Sequence, residues 1–285
     1  MINLIHVRSF LAVVDTKGIR AAARVLELAP STVVDHVKQL EADLSAPLVV
    51  RDYGAATPTP QGARFLPFAR ALMSTASRAR DLMHHPLLRL AAASNIGIYM
   101  LQPPLAAFQR ETGIKVELWI GSNPLVAERL ARGEADLAAM EWWDDRSGFA
   151  ANTWAREPLV VIVAPGHRWA DRGKVSVGEI SSEPMLGGEP GSGTGRLLRE
   201  QLGSIAEQLR TVSGFGSTEA VKRAVRAGRG ISIVMKSAVT DEVASRQIIA
   251  LSIEGVELIK EIKFVVPDQL PPTAPAMTFL ADCRG

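Results

Sequence analysis

The sequence contains a single cysteine, Cys283, among 285 residues. One thiol excludes an intrachain disulfide and a cysteine-built zinc site, and it points to a reducing, cytoplasmic setting. Long apolar runs are missing as well. No stretch reaches the roughly 20 consecutive apolar residues a membrane-spanning helix requires, so no membrane partner is expected. The start, MINLIHVRSF, lacks the basic segment, apolar core and small-residue cleavage site of a signal peptide. Common enzyme motifs are also absent. GSGTG from Gly191 is glycine-rich but has neither the GK[ST] of a phosphate loop nor G-x-G-x-x-G spacing, and no G-x-S-x-G occurs. His6, His36, His84, His85 and His167 show no metal-ligand spacing. No catalytic residue, metal or cofactor is therefore expected.

The composition that is present, 47% hydrophobic and 22% charged, is that of a soluble globular chain of two or three compact units. The net charge of +2 conceals an asymmetry. Through Arg89, eleven basic side chains stand against seven acidic ones, a surplus of four, which leaves the remainder mildly acidic. A basic front fused to an acidic rear fits a nucleic-acid module joined to something else.

From Leu4 to Val14, apolar residues recur at intervals of three and four, the period of one helical face. Gly18 ends that run. Ile19 to Leu26 predicts a short second helix whose alanines permit close crossing of its neighbour. Pro30 suits the first turn of a third helix running to about Leu44, with Val33, Val37, Leu40 and Leu44 on its buried stripe. Ser31, Thr32, Asp35, His36 and Lys38 then face away, able to reach base edges or phosphates. Leu48 to Arg51 predicts a strand and Thr57 to Pro60 its return, together a β-wing, with Arg51 a further DNA-binding candidate. A plain helical hairpin with a solvated face shares this periodicity.

The run from Phe10 through Asp52, followed by TPQG at Thr59, resembles the winged helix-turn-helix of LysR-type regulators. The similarity covers the aromatic in the first helix, the Ala-Ala pair, L-x-L-A-P-S-T-V, Q-L-E and P-L-V-V-R. It implies a DNA-binding transcription regulator with double-stranded promoter DNA and RNA polymerase as partners. Two departures carry chemistry. Val34-Asp35 stands where the family commonly has Ser-Arg, and the wing from Asp52 to Ala56 lacks the usual basic residue. Asp35 has three readings: it repels phosphates, pairs with Lys38, or accepts from cytosine N4.

Gln61 to about Met83 predicts one long helix, with Phe65, Phe68, Ala69, Leu72, Ala76, Ala79 and Met83 on a stripe and Pro67 near its start. Its cover is a second copy of the chain, as the resemblance implies, or its own C-terminal part. The expected state is a homodimer or homotetramer.

After His84-His85-Pro86 the rhythm changes. Strands are expected at Leu87–Ala92, Lys115–Ile120 and Asp136–Met140, turns at Ser94–Gly97 and Gly121–Pro124, and helices at Leu101–Thr112 and Leu125–Arg132. The pattern repeats with a strand at Leu159–Ala164, helices at Arg196–Leu209 and Thr218–Ala227, and a strand at Gly230–Val234. Alternation of this kind implies parallel sheets with helices on their faces and ligand sites at the strand ends. This half also resembles LysR-type sensors, in the branch regulating carbon fixation and sulfur assimilation, through SNIG at Ser94, DLAAME at Asp136 and EPGSGT at Glu189.

The fold class so expected is mixed: an α-helical winged helix-turn-helix with a long linker helix, then a two-lobed α/β domain like periplasmic binding proteins. The boundaries are 1–60, a linker at 61–86, and 87–285, with lobe I at about 87–160 and 265–285 and lobe II at about 161–264. Carried over by motif, an effector cleft would use Ser94, Asn95, Ser122 and Asn123 from one lobe. The other would supply Ser192, Gly193, Thr194, Ser217 and Thr218. Hydroxyls, amides and backbone N–H groups suit an organic acid, a sulfur oxyanion or a phosphate ester. Helix capping accounts for the same serines and threonines. Trp142 and Trp143 stack on a ligand or fill a core. A rival reading from another class is a two-lobed small-molecule-binding protein or enzyme with an accessory helical domain. The missing signal peptide argues against transport.

Overall fold

The computed structural model describes residues 1–52, 55–84, 86–189 and 191–283, with the backbone alone at 51, 52, 78 and 81–84. The chain forms two compact units, Met1–Leu87 with Glu128–Ala135, and Leu88–Ala127 with Asp136–Gly285. Among the described residues, no helix is long and apolar enough to cross a membrane.

The first unit contains α1 (Leu4–Thr16), α2 (Ile19–Leu26), α3 (Pro30–Leu44), the strands β1 (Val49–Asp52) and β2 (Ala55–Pro58), and α4 (Pro60–His84). Asn3 caps α1 by accepting from the Ile5 N–H at 2.9 Å. Lys17, Glu27 and Ser45 close the first three helices in left-handed backbone without help from glycine. Ala22 and Ala23 are buried where α2 meets its neighbours, beside Val13, Val33 and Val37. Phe10, Leu40, Leu48 and Ala69 form an adjoining core. β1 and β2 make an antiparallel hairpin with Val49 opposite Pro58 and Asp52 opposite Ala55. Tyr53 and Gly54, in the expected wing, lie outside the described residues, as does His85.

Two sequence motifs acquire physical reasons here. Glu41, of Q-L-E, accepts at Oε1 from the Leu48 N–H at 2.7 Å and the Val49 N–H at 3.1 Å, fixing where the wing begins. In TPQG, Thr59 donates to the Pro47 carbonyl at 2.6 Å and accepts from the Gly62 N–H at 2.9 Å, so it caps α4. Pro60 takes the first turn, and Gly62 lies so close to the Leu48 carbonyl that no side chain fits. The α4 stripe divides. Phe65 and Met73 pack against the core around Phe10, whereas Phe68 is 67% and Leu72 38% exposed.

The second unit begins with β3 (Leu87–Ala93), α5 (Ser94–Tyr99), α6 (Gln102–Thr112), β4 (Lys115–Gly121), α7 (Asn123–Ala131) and β5 (Leu137–Met140), with Leu87 and the end of α7 from Glu128 counted in the first unit. It continues with β6 (Phe149–Val163), β7 (Lys174–Val175), α8 (Val177–Ile180), β8 (Pro184–Leu186), α9 (Gly193–Leu202) and β9 (Arg210–Val212). It ends with α10 (Thr218–Arg226), β10 (Ser232–Met235), α11 (Thr240–Ala244), β11 (Ile249–Ile253), β12 (Ile259–Pro267) and α12 (Pro275–Asp282).

Eight strands form one sheet, ordered β4-β3-β5-β12-β6-β11-β7 with β10 also on β6, and β8 pairs with β9. The sheet is mixed rather than parallel: β3 and β5 run parallel, but β12 is antiparallel to both β5 and β6. β6 is fifteen residues long, and its first part pairs with β12 while Leu159–Val163 pairs with β10 and β11. Those first residues, FAANTWAREP, are too polar and alanine-rich to show a strand pattern, and β12 supplies the order the local sequence lacks. SNIG forms the start of a helix and not a turn, because Ile96 and Gly97 are drawn into the core. The expected helix from Arg196 to Leu209 starts earlier and stops at Leu202, followed by a 3-10 turn over Gly203–Gln208.

Two lobes follow from two cores. One gathers Leu88, Leu90, Ile96, Leu101, Phe108, Phe264 and Phe279, with Trp154 stacked on Phe264 at 4.5 Å. The other gathers Val161, Val163, Trp169, Ile231, Ile233 and Leu251, while Ile162 points to the opposite sheet face against Val221, Val225 and Val234. β6 runs through both lobes, and β12 lies beside its first part, with Ile262, Phe264 and Val266 in the first core.

Candidate functional site

The first unit presents α3 as an outward face. Ser31, Asp35 and Lys38 are exposed and Thr32 is half-buried. The helix starts at Ala29-Pro30 with no side-chain cap, so the amide groups of its first turn stay available to an anion such as a phosphate. Asp35 and Lys38 make no ion pair with each other among the described residues. His36 departs from the expected face. Its Nδ1 lies 2.8 Å from the hydroxyl of buried Ser9, and its ring packs on His6 with centroids 4.9 Å apart. Burial and the neighbouring His6 hold its pKa below the ordinary histidine range. His36 therefore joins α3 to α1 instead of facing outward. Arg51 is on β1 opposite Ala56, and its side chain lies outside the described residues.

In the second unit, the expected cleft residues sort into clasps and caps. Ser94 donates to the Gly121 carbonyl at 3.0 Å. Asn123 is buried and bonded on both sides of its amide: its Oδ1 accepts from the Glu141 N–H at 2.7 Å, and its Nδ2 donates to the Trp142 carbonyl at 3.0 Å. It positions the end of β5. Ser122 is exposed and turns no hydrogen bond inward. Ser192 caps α9, accepting from the Gly195 N–H at 3.0 Å and donating to the Glu189 carbonyl at 2.8 Å. Ser217 caps α10 through the Ala220 N–H at 3.2 Å. Thr194 is half-buried, with no hydrogen-bond partner among the described residues.

Asn95 and Thr218 meet directly. Thr218 Oγ1 donates to Asn95 Oδ1 at 2.7 Å, joining elements of the two lobes. Asn95 Nδ2 in turn donates to Glu141 Oε1 at 3.2 Å, and Lys260 Nζ donates to Glu141 Oε2 at 2.6 Å. Lys260, on β12, is 1% exposed. Glu141 and Lys260 were not anticipated as site residues. Glu141 ends the DLAAME motif, yet nothing local marks Lys260, which reaches it from 119 positions away.

Trp143 is buried against Phe149, edge to face at 5.6 Å, so it belongs to the core. Trp142 remains half-buried under the Arg196 guanidinium, 5.6 Å from its ring. With Gly191, Ser192, Arg196, Arg199 and Glu200 it lines a cavity of about 440 Å³ beside the start of α9. Arg196 is tied to Glu200 at 2.8 Å.

Two family models match this arrangement. Residues 4–63 match the bacterial regulatory helix-turn-helix protein, lysR family, and residues 83–285 match the LysR substrate binding domain. The chain belongs to the LysR family. It is thus a DNA-binding transcription regulator with an effector-binding domain, and the matched helix-turn-helix decides against the rival reading of an accessory helical domain.

LysR relatives cover both halves. The putative HTH-type transcriptional regulator protein PtxE of Stutzerimonas stutzeri is 41% identical over 197 residues, 68% of this chain and 100% of that one. CysL of Bacillus subtilis strain 168 is 26% identical, covering 90% and 89% of the two chains. The RuBisCO operon transcriptional regulator of Allochromatium vinosum is 27% identical, covering 89% and 86%. These relatives place the chain in the branch its sensor motifs resemble. Among solved LysR structures, ArgP of Mycobacterium tuberculosis superposes with a TM-score of 0.74 at 18% identity, covering 100% of this chain and 98% of that one. That likeness carries the fold.

Proposed function

We propose that this regulator reads promoter DNA through Ser31, Thr32, Asp35, Lys38 and Arg51 and is switched by a small anionic metabolite between its sensor lobes. The observation that carries the reading is the Thr218–Asn95 hydrogen bond across the lobes, set beside the Glu141–Lys260 pair. A ligand that binds there must make or break a link between two bodies, and only unequal affinity for the two arrangements shifts their populations. The unpartnered Thr194 hydroxyl, the α9 start and the arginine-lined cavity favour a carboxylate, a sulfur oxyanion or a phosphate ester. A solved relative of the same fold, LysG of Corynebacterium glutamicum, is described with bound effector Arg.

Phe68 and Leu72 favour a homodimer through α4, paired further into a tetramer, because that exposed apolar edge gains cover from a second copy. The regulator acts in the cytoplasm, contacts RNA polymerase at the promoter, and has no catalytic step.

A gel shift with the DNA upstream of its own gene tests the core of this reading. Retardation at low salt is expected, and its absence with and without small anions would overturn the proposal. Ser94→Ala and Thr194→Ala are expected to abolish the response to effector while DNA is still retained. Loss of both properties together would place the site elsewhere. For Asp35→Ala, binding to a panel of operators with single base changes is expected to show relaxed preference at one base pair, by about 1–3 kcal/mol. A uniform gain across all sequences would assign Asp35 to phosphate repulsion instead.

A further inference from the structure

The carboxylate of Glu141 occupies the position a ligand's anionic group would take. Its two oxygens have separate donors, the Asn95 amide at 3.2 Å and the Lys260 ammonium at 2.6 Å. The oxygen that faces Lys260, Oε2, also lies against Gly193, the first residue of α9, so closely that a Cβ there would collide with it. An ammonium and an amide N–H on one carboxylate, next to the first residue of a helix, are the complement of an external anion. Neither charge is at a surface, since the side chains of Lys260 and Glu141 are 2% and 7% exposed. A buried ion pair is a poor source of stability compared with apolar residues of the same volume, so stability alone does not account for it. Its position in the molecule does. Asn95 is shared between Glu141 and Thr218, and the cavity of about 440 Å³ adjoins it at Trp142 and Ser192.

We propose that Glu141 is a built-in stand-in for the effector's anionic group, holding Lys260 and Asn95 until a carboxylate or tetrahedral oxyanion displaces it. The inference rests on the cleft being the effector site. In the free protein the stand-in keeps the buried ammonium paired and holds Asn95 where Thr218 can reach it. An arriving anion takes Lys260, its body fills the space beside Trp142, and Asn95 is released from its present pair of partners. The interlobe link then changes because Asn95 has to serve a different acceptor. Glu141 consequently sets sensitivity: it competes with every anion for the same ammonium, so only a ligand with further contacts in the cavity displaces it at low concentration.

The test is isothermal titration of the full-length protein with sodium acetate, sodium sulfate and inorganic phosphate in an otherwise anion-poor buffer. Glu141→Gln leaves the Lys260 ammonium without its carboxylate and is expected to bind at least one of these anions tenfold or more tightly than the wild type. Acetate leading means that the group replaced is planar; sulfate or phosphate leading means that it is tetrahedral. Glu141→Asp draws the charge back by one methylene and is expected to give the same direction with a smaller gain, which keeps the test open should Glu141→Gln fail to fold. The double variant Glu141→Gln/Lys260→Met is expected to lose the gain. Equal or weaker binding by both single variants overturns the stand-in. If the double variant binds as tightly as Glu141→Gln, the anion sits elsewhere, and the cleft reading fails with it. If Lys260→Met alone lowers wild-type binding while the Glu141 variants leave it unchanged, the cleft reading stands and the stand-in falls.

Discussion

Replacing Lys222 by methionine is expected to lower the unfolding free energy of the sensor by about 3 kcal/mol, as breaking one side of a buried ion pair does. Lys222, on α10, has a side chain 5% exposed. Its Nζ donates to the Ala238 carbonyl at 2.9 Å and reaches Glu242 Oε1 at 2.5 Å and Glu219 Oε2 at 3.0 Å. It also lies 5.0 Å from the centre of the Tyr99 ring. One ammonium thus gathers α5, α10, α11 and the turn before α11. Burial alone would lower the Lys222 pKa, but its bonds to Glu242 and Glu219 outweigh that and raise it. A raised value favours the charged form in the folded protein, so the contribution is complete at neutral pH and is lost only as pH climbs above the usual lysine range. Urea unfolding at pH 7, followed by tryptophan fluorescence, measures it. Lys222→Met/Glu242→Gln is expected to recover more than half of the loss, because most of the cost is the carboxylate left behind. No recovery would make lost packing the main cause.

Gly62→Ala is expected to cost the first unit about 3 kcal/mol, the upper end of what overpacking does. The added methyl meets the Leu48 carbonyl, and the Leu48 carbonyl carbon and Cα lie only 2.9 and 3.2 Å away. Backbone cannot rotate aside as a side chain can. The start of α4 and the start of the wing must separate, and that breaks the Thr59 cap shared by both. Thermal melting of the variant, with DNA retention measured in parallel, shows the effect. Gly166→Ala is the control, since a Cβ at Gly166 has no neighbour within 4 Å; its change is expected to stay within about 0.5 kcal/mol. Equal effects at the two positions would show that the close approach at Gly62 is relieved without cost.

These two sites mark how far the sequence was legible. The helices of the first unit were readable because their burial has a strict period, and Val33, Val37 and Leu40 are buried as that period requires. TPQG and Q-L-E were recognisable as motifs, but their reason, a shared contact with Leu48, exists only in three dimensions. His36 misled because it sits beside the outward face, and what turns it inward is Ser9, on another helix. The first half of β6 was invisible because its order comes from β12. The cleft was half legible. Asn95 and Thr218 stood out as polar residues carried over by motif, and they do meet. Asn123, Ser192 and Ser217 looked the same in sequence and serve as clasp and caps. Lys260 gave no signal in a strand of ordinary alternation, since only the closing of β12 onto β5 brings it to Glu141.

The chain passes between the lobes where Leu159 of β6 bonds Leu258, just before β12, and this also limits how the sensor moves. β6 and β12 are paired from Ile259 opposite Pro158 to Pro267 opposite Phe149, interrupted only by a register shift at Ile262/Lys263. A paired ribbon resists stretching and shear, because each would break its ladder of hydrogen bonds, yet it bends and twists at little cost. The lobes of this protein are therefore coupled as by a torsion spring. Lobe movement is expected as rotation about that ribbon and not as sliding along it.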